Sequence, residues 1–135
     1  MIVIVCVDDN NGMMFNRRRQ SQDQGLREHV RQDAKDVVVW MNAYSEKQFA
    51  DAEPSRLKVC EDFLEKAGSG DFCFVEDRDL RPYLDRIEEI ILYKWNRTYP
   101  ADFRFEVDLS SWKLEETEEF TGSSHEKITR ERYIR

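Results

Sequence analysis

The sequence predicts an α/β fold with a mostly parallel central sheet and a C-terminal antiparallel hairpin. Three observations predict it. Short apolar, β-branched runs alternate with helix-patterned segments through most of the 135 residues. The runs are continuous rather than alternating, as strands buried on both faces require. Beyond Tyr93 the helix signals fade and side chains alternate in character.

Met1 to Val7 is the first run, and Asp8-Asp9-Asn10-Asn11-Gly12 ends it as a loop. Ser21 then opens a helix, with Gln24 three residues later completing a capping box. Leu26, Val30 and Ala34 supply its apolar face. Val37 to Met41 is the second strand, and Ser45, followed by Gln48, caps a short helix. A further helix runs from about Pro54 to Ala67, with Leu57, Cys60, Leu64 and Ala67 on one stripe and Gly68 placed to stop it. Phe72 to Val75 is the third strand. The next helix turns Leu80, Leu84 and Ile87 inward; Pro82 suits its first turn and Asp79 its N-cap. Ile90 to Tyr93 is the fourth strand. Residues 112–118 and 127–133 flank the turn Thr121-Gly122-Ser123-Ser124 and predict the hairpin. No repeat or linker divides the chain, so a single domain over 1–135 is expected.

Composition narrows the function classes. Hydrophobic residues make up 40% and aromatics 12%, which supports a packed core. A formal net charge of −7 disfavours a nucleic-acid partner. Cys6, Cys60 and Cys73 lack a C-x-x-C pair and each sits in an apolar stretch, so free thiols in a reducing, cytoplasmic compartment are expected. Asp8 and Asp9 interrupt the N-terminal apolar run, which argues against a signal peptide. No stretch reaches membrane-spanning length, and the charged terminal strands favour a monomer.

The order of elements resembles the dihydrofolate reductase family, a three-layer α/β/α fold. Val7-Asp8, Asn11-Gly12 and Asn16 look like that family's first strand and the loop over its active site. Val38 to Ser45 is similar to its second strand and next helix start, and Phe74 to Tyr93 to its glycine-pair strand, helix and following strand. Tyr99, Asp102, Phe103, Trp112, Tyr133 and Arg135 follow its final strands in order and spacing. Between Phe49 and Asp71 a single helix is expected in place of the family's extra strand and adenine-binding region.

The resemblance implies a set of site residues. Asp23 is the candidate for the catalytic carboxylate beneath the pterin; a helix N3 carboxylate is its plain structural reading. Asn16 and Ser45 are the candidate cofactor contacts, with a helix N-cap as the plain reading of Ser45. Val5, Cys6, Met41 and Tyr93 fall on the substrate pocket, and Tyr93 replaces a smaller threonine. The family's glycine pair falls on Val75 and Glu76, followed by Asp77, and its phosphate-side arginine on Ala43. Two like charges at ~5 Å and an effective dielectric of ~20 repel by roughly 3 kcal/mol, about 100-fold in affinity. Glu76 and Asp77 therefore oppose a dinucleotide phosphate, although a solvated helix start also favours acids.

These substitutions predict a divergent relative without ordinary NADPH-dependent folate reduction, with no cofactor and with a small ligand as the possible occupant of the remnant cleft. The alternative is an NADPH-dependent reductase of a pterin-like or other heterocycle that relies on Asp23. A third reading is an interaction or RNA-processing protein, but a ribonuclease Z type centre needs a histidine- and aspartate-rich two-metal site. His29 and His125 are isolated in sequence, so no metal site is expected. The sequence also shows no Ser-His-Asp arrangement and no G-x-S-x-G. Arg17-Arg18-Arg19 forms a basic run on the loop over the cleft, suited to an anion or to solvent. Met13, Met14 and Phe15 in the same loop suit a lid or simple packing.

Overall fold

A computed structural model describes residues 1–35, 37–49 and 56–135. Strand β1 (Ile2–Val7) runs through the middle of the molecule. It pairs in parallel with β6 (Phe72–Phe74) on one side and β7 (Glu89–Lys94) on the other. Beyond β6 lie β4 (Val39–Met41) and the edge strand β5 (Leu57–Val59), both parallel. Beyond β7 lie β10 (Ile128–Ile134) and β9 (Lys113–Phe120), which form the antiparallel hairpin. The sheet order is β5-β4-β6-β1-β7-β10-β9.

Alternation along β1 feeds two cores. Val3, Val5 and Val7 are fully buried on one face with Phe63, Leu64, Ile90 and Leu92. Ile4 packs on the other with Met41, Phe74, Ile91 and with Leu26 and Val30 of α1 (Gln24–Asp33). Two buried faces explain why β1 reads as one apolar run rather than an alternating one. Each such side chain contributes about 1.5–3 kcal/mol of transfer free energy.

Several boundaries differ from the sequence expectation. The cap of α1 is Asp23, not Ser21: its carboxylate accepts the Leu26 N–H at 3.1 Å. The cap of α2 (Ala43–Glu46) is Asn42, whose Oδ1 accepts the Ser45 N–H at 3.0 Å; Ser45 lies inside the helix. The helix expected up to Ala67 is strand β5 followed by the short α3 (Phe63–Lys66). Pro54, its expected start, lies outside the described residues. The extra edge strand thought to be replaced is therefore present. Leu57 had shared a helical stripe with Cys60 and Leu64, but the parallel pairing of Val39, Trp40 and Met41 takes Leu57, Lys58 and Val59 as a strand.

The segment after Phe74 is a 3₁₀ helix, Arg81–Arg86, with Leu80 at its cap position and Pro82 in its first turn. Asp79 still accepts the Arg81 N–H at 3.0 Å. The loop over the cleft contains a small antiparallel sheet: β2 (Gly12–Phe15), β3 (Arg18–Arg19) and β8 (Phe103–Arg104), in order β3-β2-β8. Asn16 and Arg17 join β2 to β3 with φ of 51° and 59°. Two successive positive φ values give the primed turn that matches strand twist. No described helix is long and apolar enough to cross a membrane.

Candidate functional site

The chain passes from β1 to β4 on one side, then returns through β6 and crosses to β7 on the other. The direction switches between β6 and β1, where open parallel sheets form a crevice at their C-terminal strand ends. Glu76 follows β6 there, Asn42 follows β4, Asp8 follows β1 and Trp95 follows β7.

Glu76, only 9% exposed, is the centre of a polar cluster in that crevice. Arg19 reaches it from β3 in a bidentate pair, Nε to Oε2 at 2.8 Å and Nη2 to Oε1 at 3.1 Å. Ser45 Oγ donates to Oε1 at 2.8 Å and Gln48 Nε2 to Oε2 at 3.2 Å. The Arg19 guanidinium also donates to the Tyr44 carbonyl at 3.2 Å and lies 4.3 Å from the Tyr44 ring centroid. Burial would lower the Arg19 pKa, but the Glu76 contacts outweigh it and raise it. Asp77 turns away from Glu76 toward Asn42 Nδ2 at 2.9 Å and Arg78 at 2.8 Å. The residues read as repelling phosphate are thus satisfied internally. Arg19, read as part of a basic run, is the partner that sequence reasoning missed.

Below this cluster the crevice narrows to a cavity of about 10 Å³, bordered by Cys6, Met13, Ser21, Gln48, Val75 and Trp95 among others. That is the threshold for one water, far below the roughly 300 Å³ of a small-molecule site. Of the four expected pocket residues, Cys6 borders this cavity. Desolvation, with the Glu76 charge second, pushes its thiol well above the usual range. Val5 and Met41 are fully buried in the two cores. Tyr93 is also fully buried, and its hydroxyl donates to Asp33, which Arg130 pairs at 2.8 Å. Asn16 lies outside the crevice: its N–H donates to Asp102 at 3.0 Å. It borders an open depression of about 500 Å³ together with Arg18, Gln20 and Tyr99.

Asp23 lies in a buried knot, not at an open pocket wall. Besides capping α1, its carboxylate accepts the backbone N–H groups of Ser123 at 2.9 Å and Ser124 at 2.8 Å. The hydroxyls of Ser123 and Ser124 also donate to it, at 3.2 and 3.1 Å. Burial alone would raise its pKa; these donors, with His125, outweigh that and hold it well below the usual carboxylate range.

His125 completes the knot. Its Nδ1 lies 3.0 Å from Asp23 Oδ2, and its Nε2 lies 3.1 Å from Ser21 Oγ and 3.0 Å from Tyr99 Oη. Trp95 stacks on the ring at 4.5 Å. The expectation that the chain holds no Ser-His-Asp arrangement is therefore corrected: the fold joins Ser21, His125 and Asp23 across 102 residues of sequence separation between the last two. No short motif signals such a pairing, because the hairpin turn alone brings His125 to the start of α1. His29 sits elsewhere, stacked on Phe120 at 3.6 Å.

No protein-family model matches the chain, and no curated protein matches it in sequence. Among solved structures, the dihydrofolate reductase from Enterococcus faecalis, in complex with NADP(H) and RAB-propyl, superposes with a TM-score of 0.73. The match covers 99% of this chain and 95% of that one at 10% identity. The chain has a dihydrofolate-reductase-like α/β fold, as its order of elements implies.

Proposed function

We propose that this chain uses the dihydrofolate-reductase-like scaffold without ordinary NADPH-dependent folate reduction, as a cytoplasmic monomer whose ligand, if it takes one, is a small molecule other than a dinucleotide. The carrying observation is the Arg19–Glu76 pair with Ser45 and Gln48 at the C-terminal end of β6. A dinucleotide pyrophosphate needs bare backbone N–H groups and a neutral or positive field there. This chain supplies a side-chain carboxylate instead, already saturated by three partners. Displacing it would leave a buried anion beside phosphate, or strand Arg19, Ser45 and Gln48.

The carboxylate that a reductase would use to supply a proton supports the same reading. Asp23 has its lone pairs engaged by backbone, hydroxyl and imidazole donors. A carboxyl held this far toward its ionised form is a poor proton donor near neutral pH. The residues Glu76 and Asp23 therefore fit neither half of the reductase chemistry.

Titration of the purified protein with NADPH, followed by cofactor fluorescence and calorimetry, tests the proposal. No saturable binding below the millimolar range is expected. Micromolar binding, or NADPH oxidation that Asp23→Asn abolishes, would overturn it in favour of a reductase with an unusual cofactor mode.

A further inference from the structure

We propose that Ser21 is an activated nucleophile for acyl transfer from small esters, with His125 as its general base and Asp23 as the group that orients the base. Three residues stand in the required chain: carboxylate to Nδ1 at 3.0 Å, Nε2 to hydroxyl at 3.1 Å. Both distances lie within the range of a working nucleophile and base pair. Asp23 is ionised and can only accept, so Nδ1 carries the hydrogen of that contact, and the tautomer with its one hydrogen there presents Nε2 to Ser21 as an acceptor.

Burial is graded along the chain. Asp23 and His125 are 2% and 4% exposed, whereas Ser21 is partly exposed. The orienting pair is buried and fixed, by Trp95 on the ring face and by Ser123 and Ser124 on the carboxylate, while Ser21 lies at the less buried end. A second feature lies beside Ser21. Gln20 Oε1 is buried without a hydrogen-bond partner among the described residues, and Gln20 borders the same one-water cavity as Ser21. A buried acceptor without a partner calls for one O–H or N–H donor such as a water, and Gln20 borders the open depression as well as this cavity.

The chemistry balances in two steps. Ser21 Oγ attacks the ester carbonyl carbon as its proton moves to His125 Nε2. The carbon–alkoxide bond then breaks, and the alkoxide leaves as the alcohol with that proton. Water adds to the acyl-serine, giving its proton to Nε2, and the Ser21–acyl bond breaks to release the carboxylic acid and restore the hydroxyl. Tyr99 limits the first step, because its hydroxyl, 3.0 Å from Nε2, competes with Ser21 for the same lone pair. Both steps use Ser21, His125 and Asp23 and neither uses the Arg19–Glu76 pair, so labelling of Ser21 and titration with NADPH are read separately.

The test is labelling of the intact protein with an alkyl fluorophosphonate at pH 8, read by intact mass and peptide mapping, alongside turnover of p-nitrophenyl acetate. Fluoride departs as the Ser21 Oγ–phosphorus bond forms, so one adduct on the Ser21 peptide is expected. His125→Asn keeps an N–H toward Asp23 but deletes Nε2, and labelling should fall about 100-fold. Tyr99→Phe frees Nε2 and should raise the rate severalfold, which a purely structural knot would not do. An unlabelled Ser21 in the folded protein overturns the proposal. So does equal labelling in His125→Asn or, if that variant does not fold, a Tyr99→Phe rate no higher than that of the parent.

Discussion

Arg19 and Glu76, 57 residues apart in sequence, close the crevice by a bidentate ion pair with Nε 2.8 Å from Oε2. The pair ties the β2–β3 hairpin to the end of β6 and is asymmetric in burial. Glu76 is 9% exposed and Arg19 20%.

That asymmetry predicts unequal costs. Arg19→Ala leaves a buried carboxylate with only Ser45 and Gln48 as donors, and should cost about 3 kcal/mol of stability. Glu76→Gln leaves Arg19, which has a route to solvent and the Tyr44 carbonyl, and should cost about 1–2 kcal/mol. Urea denaturation of the two variants checks the order of their midpoints. A larger loss for Glu76→Gln would mean that Arg19 is the group that depends on the pair.

The strands were legible in the sequence where both faces are buried, as in Ile2–Val7 and Glu89–Lys94, because a strand covered on both sides has no polar alternation. Strand β5 was not. Leu57 is half-buried and Lys58 and Val59 are exposed, so no buried run marks it, and Leu57 fell on a helical stripe with Cys60 and Leu64. The small sheet was missed because Asn16 and Arg17 form its turn without the glycine that usually signals one. At the site, residue types were legible and partners were not. Glu76 was visible as a misplaced charge, but Arg19, Ser45 and Gln48 converge on it only through the crossover of β4 and β6.

Asp23 links the start of α1 to the β9–β10 turn through an ionised carboxylate. Its pKa lies below the ordinary value of about 4, so the stabilisation it gives is present above that pH. It is lost as pH falls from about 4 toward the depressed folded value. Asp23→Asn should destabilise the protein by about 2–4 kcal/mol at pH 7 and flatten the loss of stability below pH 4. Denaturation midpoints from pH 7 to pH 3 for both proteins check it. Parallel curves would show that Asp23 does not set the acid limb.

Gly122 packs against that carboxylate. A Cβ there would sit 2.4 Å from Asp23 Oδ2 and 2.8 Å from Cγ. Asp23 is pinned by several donors and cannot swing aside, so Gly122→Ala should cost about 2–3 kcal/mol. Gly25→Ala makes contacts of 3.1 to 3.3 Å and provides the milder comparison. Thermal melts of the two variants should place Gly122→Ala well below Gly25→Ala. In the double variant Gly122→Ala with Asp23→Ala the clash is gone, so the two losses should be less than additive.

Tyr93 donates its buried hydroxyl to Asp33, whose carboxylate is also held by Arg130. Burial is the larger cause, and the Asp33 charge the second, of a phenol pKa pushed far above the usual 10. The neutral phenol is thus the folded form. Its contribution is complete below pH 10 and is lost as pH rises above it, because only the unfolded chain ionises readily there. Alkaline titration followed at the phenolate absorbance should show Tyr93 silent until the protein unfolds, with Tyr93→Phe identical to the parent below that point. Tyr93→Phe should itself cost about 1–2 kcal/mol, since Asp33 keeps Arg130 but loses one donor. A phenolate signal missing from Tyr93→Phe but present in the folded parent near pH 10 would show that the Asp33 contact is open to solvent.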